Sequence, residues 1–141
     1  DEAKMLSHLA SNEMWLPYAI LDLQVVTSRK FNFKTFSRSI SFVTFQRNLS
    51  TVGIDSGCKR PISTPSYIDN LERLGLIVTK RGLGQVDDSL YAKIEEIFVA
   101  PRRERLPASL NLQTAKGVLE ITELGKEFVA TCIRDKASQK N

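Results

Sequence analysis

Histidine is almost missing from this chain, with His8 the one imidazole in 141 residues. Cysteine is scarce too: Cys58 and Cys132 stand far apart, outside any CxxC spacing. That donor set excludes a transition-metal cluster and leaves a cytosolic-type reduced pair as the expected thiol state. It also removes Ser-His-Asp and Cys-His catalytic sets, because nothing ties His8 to a nucleophile. No apolar run reaches the roughly 18 residues of a membrane-spanning helix. A phosphate-cradling glycine loop is lacking, since Gly82-Leu83-Gly84 is short and is followed by neither a helix start nor a lysine. Asp87-Asp88 and Glu95-Glu96 are sequence neighbours on a helical pattern, so their side chains diverge and serve as caps and surface charge rather than an acid/base dyad. The sequence therefore nominates no catalytic residue, metal ligand or cofactor, and the chain is expected not to be an enzyme. It also opens Asp1-Glu2-Ala3-Lys4-Met5-Leu6, with no initiator methionine and no signal-peptide core, and reads as a piece of a longer protein.

What is present is enough to build a core. Hydrophobic residues make up 42% of the chain and charged residues 26%, the balance of a soluble globular domain. The net charge of +4 is unevenly placed. Residues 27–81 hold ten basic side chains against three acidic ones, an excess of +7. Residues 1–26 carry −3, and residues 82–141 carry nine of each sign. A concentrated basic segment serves either as a surface for a polyanion or as a solvated face.

Along the chain, residues 2–11 place Ala3, Leu6, Leu9 and Ala10 at helical spacing, with His8 among polar neighbours. Residues 19–26 alternate, with Ala19, Leu21, Leu23 and Val25 on one face and Asp22 and Gln24 on the other, as in a half-buried strand. Trp15 and Tyr18 are placed to cover the core edge. A basic loop over 27–34 leads to Thr35, an N-cap for a helix over 36–50 in which Phe36, Ile40, Phe42, Val43, Phe45 and Leu49 form two adjoining apolar stripes. Gly53 and Asp55-Ser56-Gly57 interrupt this pattern. Ser63 or Thr64 caps a further helix, Pro65 fits its first turn, and Ile68, Leu71 and Leu74 form its buried stripe. Gly75 stands where a helix C-terminus needs a left-handed residue, and Leu76-Ile77-Val78 starts a strand that Lys80-Arg81-Gly82 ends. Asp87 or Asp88 caps a helix carrying Leu90, Tyr91, Ile94, Ile97 and Phe98. A proline-bounded loop covers 101–107, a strand returns over 118–121, and Thr122 caps a last helix over 123–134 with Leu124, Phe128, Val129, Cys132 and Ile133 inward.

This order predicts an α+β fold: a winged helix-turn-helix with a small three-stranded antiparallel sheet and a helical insertion in the wing. The domain spans 1–135, the insertion 83–116, and residues 136–141 form a disordered tail.

Two segments carry a further likeness. The run Tyr67-Ile68-Asp69-Asn70-Leu71-Glu72-Arg73-Leu74-Gly75-Leu76-Ile77 is followed by Leu119-Glu120-Ile121-Thr122-Glu123-Leu124-Gly125-Lys126-Glu127-Phe128 and then Cys132-Ile133. With the opening Asp1–Leu6 helix, this combination resembles the C-terminal region of the Abi-alpha (abortive infection alpha) family. The resemblance implies a bacterial, cytoplasmic protein with a further N-terminal part, linked to defence against phage. It supplies no catalytic residues.

Two functions follow as expectations. The first is a non-enzymatic interaction domain whose partner is another copy, the N-terminal remainder of the full-length protein or a phage component; no membrane contact is expected. The second is nucleic-acid binding by the helix at 65–74, with Ser66, Tyr67, Asn70 and Arg73 facing outward and Lys59, Arg60, Lys80 and Arg81 near phosphates. Asp69 and Glu72 count against the second.

Overall fold

In the computed structural model, the described residues are 1–11, 18–28, 40–82, 89–107 and 111–134. The element order is α1 (Glu2–Ser11), β1 (Tyr18–Ser28), β2 (Ile40–Leu49), α2 (Val52–Asp55), α3 (Thr64–Arg73), β3 (Ile77–Arg81), α4 (Ser89–Ile94), α5 (Ala100–Arg103), β4 (Asn111–Ile121) and α6 (Glu123–Phe128). Wide π-type turns join α4 to α5 over Glu95–Val99 and continue α6 over Val129–Arg134. The four strands form one curled antiparallel sheet in the order β2-β1-β4-β3.

A four-stranded sheet of this order replaces the expected three-stranded winged helix. The largest departure is at residues 40–49, expected as helix and folded as β2. Ile40, Val43 and Thr44 are β-branched and Phe42 and Phe45 aromatic, a run that suits a pleated surface better than a helix. Two apolar stripes that together wrap most of a helix are what a strand pattern looks like when it is forced onto a helical wheel. β2 pairs with β1 through two register shifts, between Leu21 and Leu23 and between Leu23 and Gln24. Extra residues at such bulges bend the strand and re-aim its side chains. One of them is Asn48, which takes φ 57°, a left-handed conformation that asparagine tolerates better than most residues.

Both faces of the sheet are covered. On one, Ile20, Ile77 and Leu119 pack with Met5, Leu6 and Leu9 of α1, Ile68 and Leu71 of α3, and Val129. On the other, Leu21, Leu23, Leu49 and Leu112 pack with Tyr91, Ile94, Phe98 and Val99. Within the segment expected as a wing insertion, residues 89–103 form the second helical layer of the fold, and residues 111–116 belong to β4, which is longer than the strand expected over 118–121. The proline-bounded loop expected at 101–107 begins as helix: Pro101 falls in the first turn of α5, where a missing N–H is tolerated, and the Arg102 guanidinium donates to the Phe98 carbonyl at the junction. The π-type turn also explains why Ile97, expected inward, is exposed while Val99 is buried: the extra residue rotates the following side chains around the helix.

The expected end of α3 and start of α6 hold, whereas the cap expected from Ser63 or Thr64 does not form: Ser63 makes no side-chain cap bond, and Thr64 Oγ1 donates to the Pro61 carbonyl at 2.6 Å. Gly75 takes φ +71°, and the amides of Gly75 and Leu76 donate to the Glu72 and Leu71 carbonyls, a Schellman closure of α3. Thr122 caps α6, accepting from the Gly125 amide at 3.0 Å and donating to the Gly75 carbonyl at 2.7 Å. Its own amide donates to the Leu76 carbonyl, so the end of α3 and the start of α6 are tied together. The caps and loops assigned to Trp15, Thr35 and Asp87 or Asp88, and the tail at 136–141, lie outside the described residues.

α6 sits so close to β3 that a Cβ on Gly125 would lie 2.1 Å from the Leu76 carbonyl oxygen and 2.8 Å from Ile121 Cγ1. Gly125→Ala is expected to push α6 off the sheet and destabilise the protein by about 2–3 kcal/mol, the range of core overpacking. Urea denaturation of the variant beside the parent measures it, and an unchanged midpoint refutes the close-approach account.

Candidate interaction surface

The basic residues nominated from sequence are dispersed by the fold. Lys80 and Arg81 are neighbours on β3 and so leave it on opposite faces. Lys80 pairs with Glu120 at 2.5 Å, an exposed diagonal pair on the α4 side. Arg81 lies on the α3 side. Its Nε donates to Asp22 Oδ2 at 2.6 Å, one terminal nitrogen to Asn48 Oδ1 at 2.7 Å and the other to Thr79 Oγ1 at 2.8 Å. Strand order puts β4 between β3 and β1, so the Arg81 side chain must cross β4 to reach Asp22. The β4 residues beneath that path are Gly117, paired with Arg81, and Ala115, paired with Asp22. A Cβ on Gly117 would meet Arg81 Cα at 3.3 Å. Small residues at both positions are what let an arginine lie flat across a strand.

Asp22 is 5% exposed and uses both carboxylate oxygens, taking Arg81 on one and the Asn48 amide at 3.0 Å on the other. Asn48 Nδ2 in turn donates to Asp69 of α3 at 2.6 Å. Glu72, one turn further along α3, accepts from both the amide and the hydroxyl of Thr79. Asp69 and Glu72, which counted against a nucleic-acid surface in the sequence, therefore anchor α3 to β2 and β3.

Tyr67 and Asn70 do not stand free either. Tyr67 Oη donates to Asp1 Oδ2 at 3.1 Å, and Asn70 Nδ2 to Glu2 Oε1 at 2.8 Å. The Asp1 carboxylate also accepts from the amides of Lys59 and Arg60 at 2.9 and 3.0 Å. Two acidic residues at the start of the chain therefore hold Tyr67 and Asn70 of α3, and Asn70 stays exposed. The side chains of Lys59, Arg60, Ser66 and Arg73 remain exposed.

A different feature comes forward at the junction of α3 and α6. Leu74 is 58% exposed, Leu124 55% and Phe128 40%. Leu124 Cδ2 lies 3.9 Å from the position a Cβ would take on Gly75, and Phe128 follows one turn along α6. All three are exposed apolar side chains near where α3 ends and α6 begins, with Arg73 next to Leu74 in sequence and Glu123 and Glu127 next to Leu124 and Phe128, all exposed as well. Helical spacing predicts Leu74, Leu124 and Phe128 inward. They face out because Gly125 and Val129 take the contact with the sheet, and a helix cannot bury the neighbouring stripe as well. Cys132, expected as a buried thiol, is exposed for the same reason, whereas Cys58 is buried and both are free.

Among the described residues no group of three or more His, Cys, Asp or Glu side chains could hold a metal ion, and every buried side-chain nitrogen or oxygen has a hydrogen-bond partner. No described helix is long and apolar enough to cross a membrane. Asp22→Ala is expected to remove about 2–3 kcal/mol of stability, below the usual figure for a broken buried pair because the Arg81 side chain keeps 31% of its exposure. Ala115→Leu, which blocks the guanidinium's path without changing a charge, is expected to destabilise in the same direction. Chemical denaturation of the two variants and their double mutant reads the coupling, and strictly additive losses contradict the crossing geometry.

A solved structure from the hydrocarbon-degrading marine bacterium Alcanivorax borkumensis SK2, described as an uncharacterized protein, is similar at 20% identity and TM-score 0.48, over 92% of this chain and 82% of that one. No curated protein matches. The sequence model of the family described as abortive infection alpha matches residues 1–132. The chain belongs to the abortive infection alpha family.

Proposed function

We propose that this chain is the contact module of an abortive-infection protein and performs no catalysis itself. The observation that carries the reading is the exposure of Leu74, Leu124 and Phe128, three large apolar side chains left in water on α6 and at the end of α3, helix ends that are bonded together. An apolar patch held on a rigid junction favours a macromolecular partner over a small-molecule substrate. The sheet adds support, since the protein's own helices pack on both of its faces at β1 and β4. The setting is bacterial and cytoplasmic, and the partner is a second copy, the rest of the full-length protein, or a phage component.

A phage-challenge assay tests the reading. Full-length protein lacking residues 1–141 is expected to lose protection, and protection that survives the deletion overturns it. A second reading, nucleic-acid binding, is favoured by the exposed Lys59, Arg60, Ser66 and Arg73 around α3. It requires a low-salt gel shift with mixed duplex DNA that fades as salt rises, and a lack of any shift removes it.

A further inference from the structure

We infer that the start of α1 is an autoinhibitory guard, in which Asp1 and Glu2 take up the donors on and beside α3 that nucleic-acid phosphates would otherwise use. The inference rests on the nucleic-acid reading of α3 and names what holds that surface in check. Asp1 stands just before α1, and its carboxylate reaches away from that helix. Oδ1 accepts from the Lys59 amide at 2.9 Å, and Oδ2 accepts from the Arg60 amide at 3.0 Å and the Tyr67 hydroxyl at 3.1 Å. Glu2 Oε1 accepts from Asn70 Nδ2 at 2.8 Å. Backbone amides, a tyrosine hydroxyl and an asparagine amide are groups that proteins turn to phosphate oxygens. Here each of them already holds an anionic oxygen supplied by the chain itself.

Charge points the same way. The exposed cations beside these donors are Lys59 and Arg60, and two carboxylates set against two cations leave the patch with no net charge. Affinity for a polyanion comes from cations that release its counterions, so a neutral patch has little of that drive. The guard can lift without unfolding α1. Met5, Leu6 and Leu9 keep the helix in the core, while the Asp1 and Glu2 side chains are only half-buried. Lys4 Nζ on the Gly57 carbonyl, at 3.0 Å, and the Cys58 thiol on the Asp1 carbonyl keep the first turn beside the 57–60 loop. A tie that served stability alone would move the thermal midpoint on substitution and leave affinity for DNA where it was.

Fluorescence anisotropy with labelled mixed-sequence duplex DNA at low salt is the test. The guard variant carries Asp1→Asn and Glu2→Gln. A control variant carries Glu96→Gln and Glu104→Gln, the same change in charge at exposed positions of the other helical layer. Thermal midpoints check that both remain folded. The guard variant is expected to bind about tenfold more tightly than the parent, with a steeper loss as salt rises, and the control to stay within about twofold. Adding Lys59→Gln and Arg60→Gln to the guard variant is expected to abolish the gain. An equal gain in the control, or a gain that survives loss of Lys59 and Arg60, overturns the guard. A parent that binds as tightly as the guard variant overturns the guard and leaves the nucleic-acid reading standing. Binding by neither overturns both.

Discussion

One buried carboxylate holds three strands in register. Asp22 sits in the middle of β1 with its oxygens shared between the Asn48 amide of β2 and the Arg81 guanidinium of β3. An uncompensated charge at that depth is strongly unfavourable, so the strands that supply its partners cannot drift independently. The bulge in β2 exists where it does because Asn48 must turn its amide to Asp22 and its side-chain amide to both Arg81 and Asp69. The small residues Ala115 and Gly117 exist where they do because the arginine must cross β4. The curl of the sheet and the seat of α3 both follow from these contacts.

Local chemistry was the legible part. The Schellman ending at Gly75, the Thr122 cap and the α3 stripe of Ile68 and Leu71 are set by residues within one turn of each other, and the chain places them as the sequence indicates. β2 was not legible, because Phe42 and Phe45 satisfy helical and extended spacing alike and only pairing with β1 decides between them. The same ambiguity turned a helical layer into a supposed wing insertion. The helix carrying Tyr91, Ile94 and Phe98 is legible as a helix, but its packing on Leu21, Leu23, Leu49 and Leu112 depends on strands distant in sequence.

The candidate surfaces were read less well. Tyr67 and Asn70 look outward on a helical wheel of α3, yet Asp1 and Glu2, over 60 residues away in sequence, hydrogen-bond them. Arg81 looks like a phosphate contact until Asp22 is placed beside it. Leu124 and Phe128 look like core until Gly125 takes the close approach to Leu76. Each depends on a contact between distant segments, and no local pattern encodes such a contact.

The Glu72 contact with Thr79 has one more consequence. β3 is a terminal strand of the sheet, and an open terminal strand invites a neighbouring molecule to extend it through its unpaired amides. The Glu72 carboxylate occupies the Thr79 amide and hydroxyl in the middle of that strand, so α3 acts as a guard rail along the sheet margin. Copies of the protein that meet on this side are thereby steered away from runaway strand addition and toward contacts made by side chains alone.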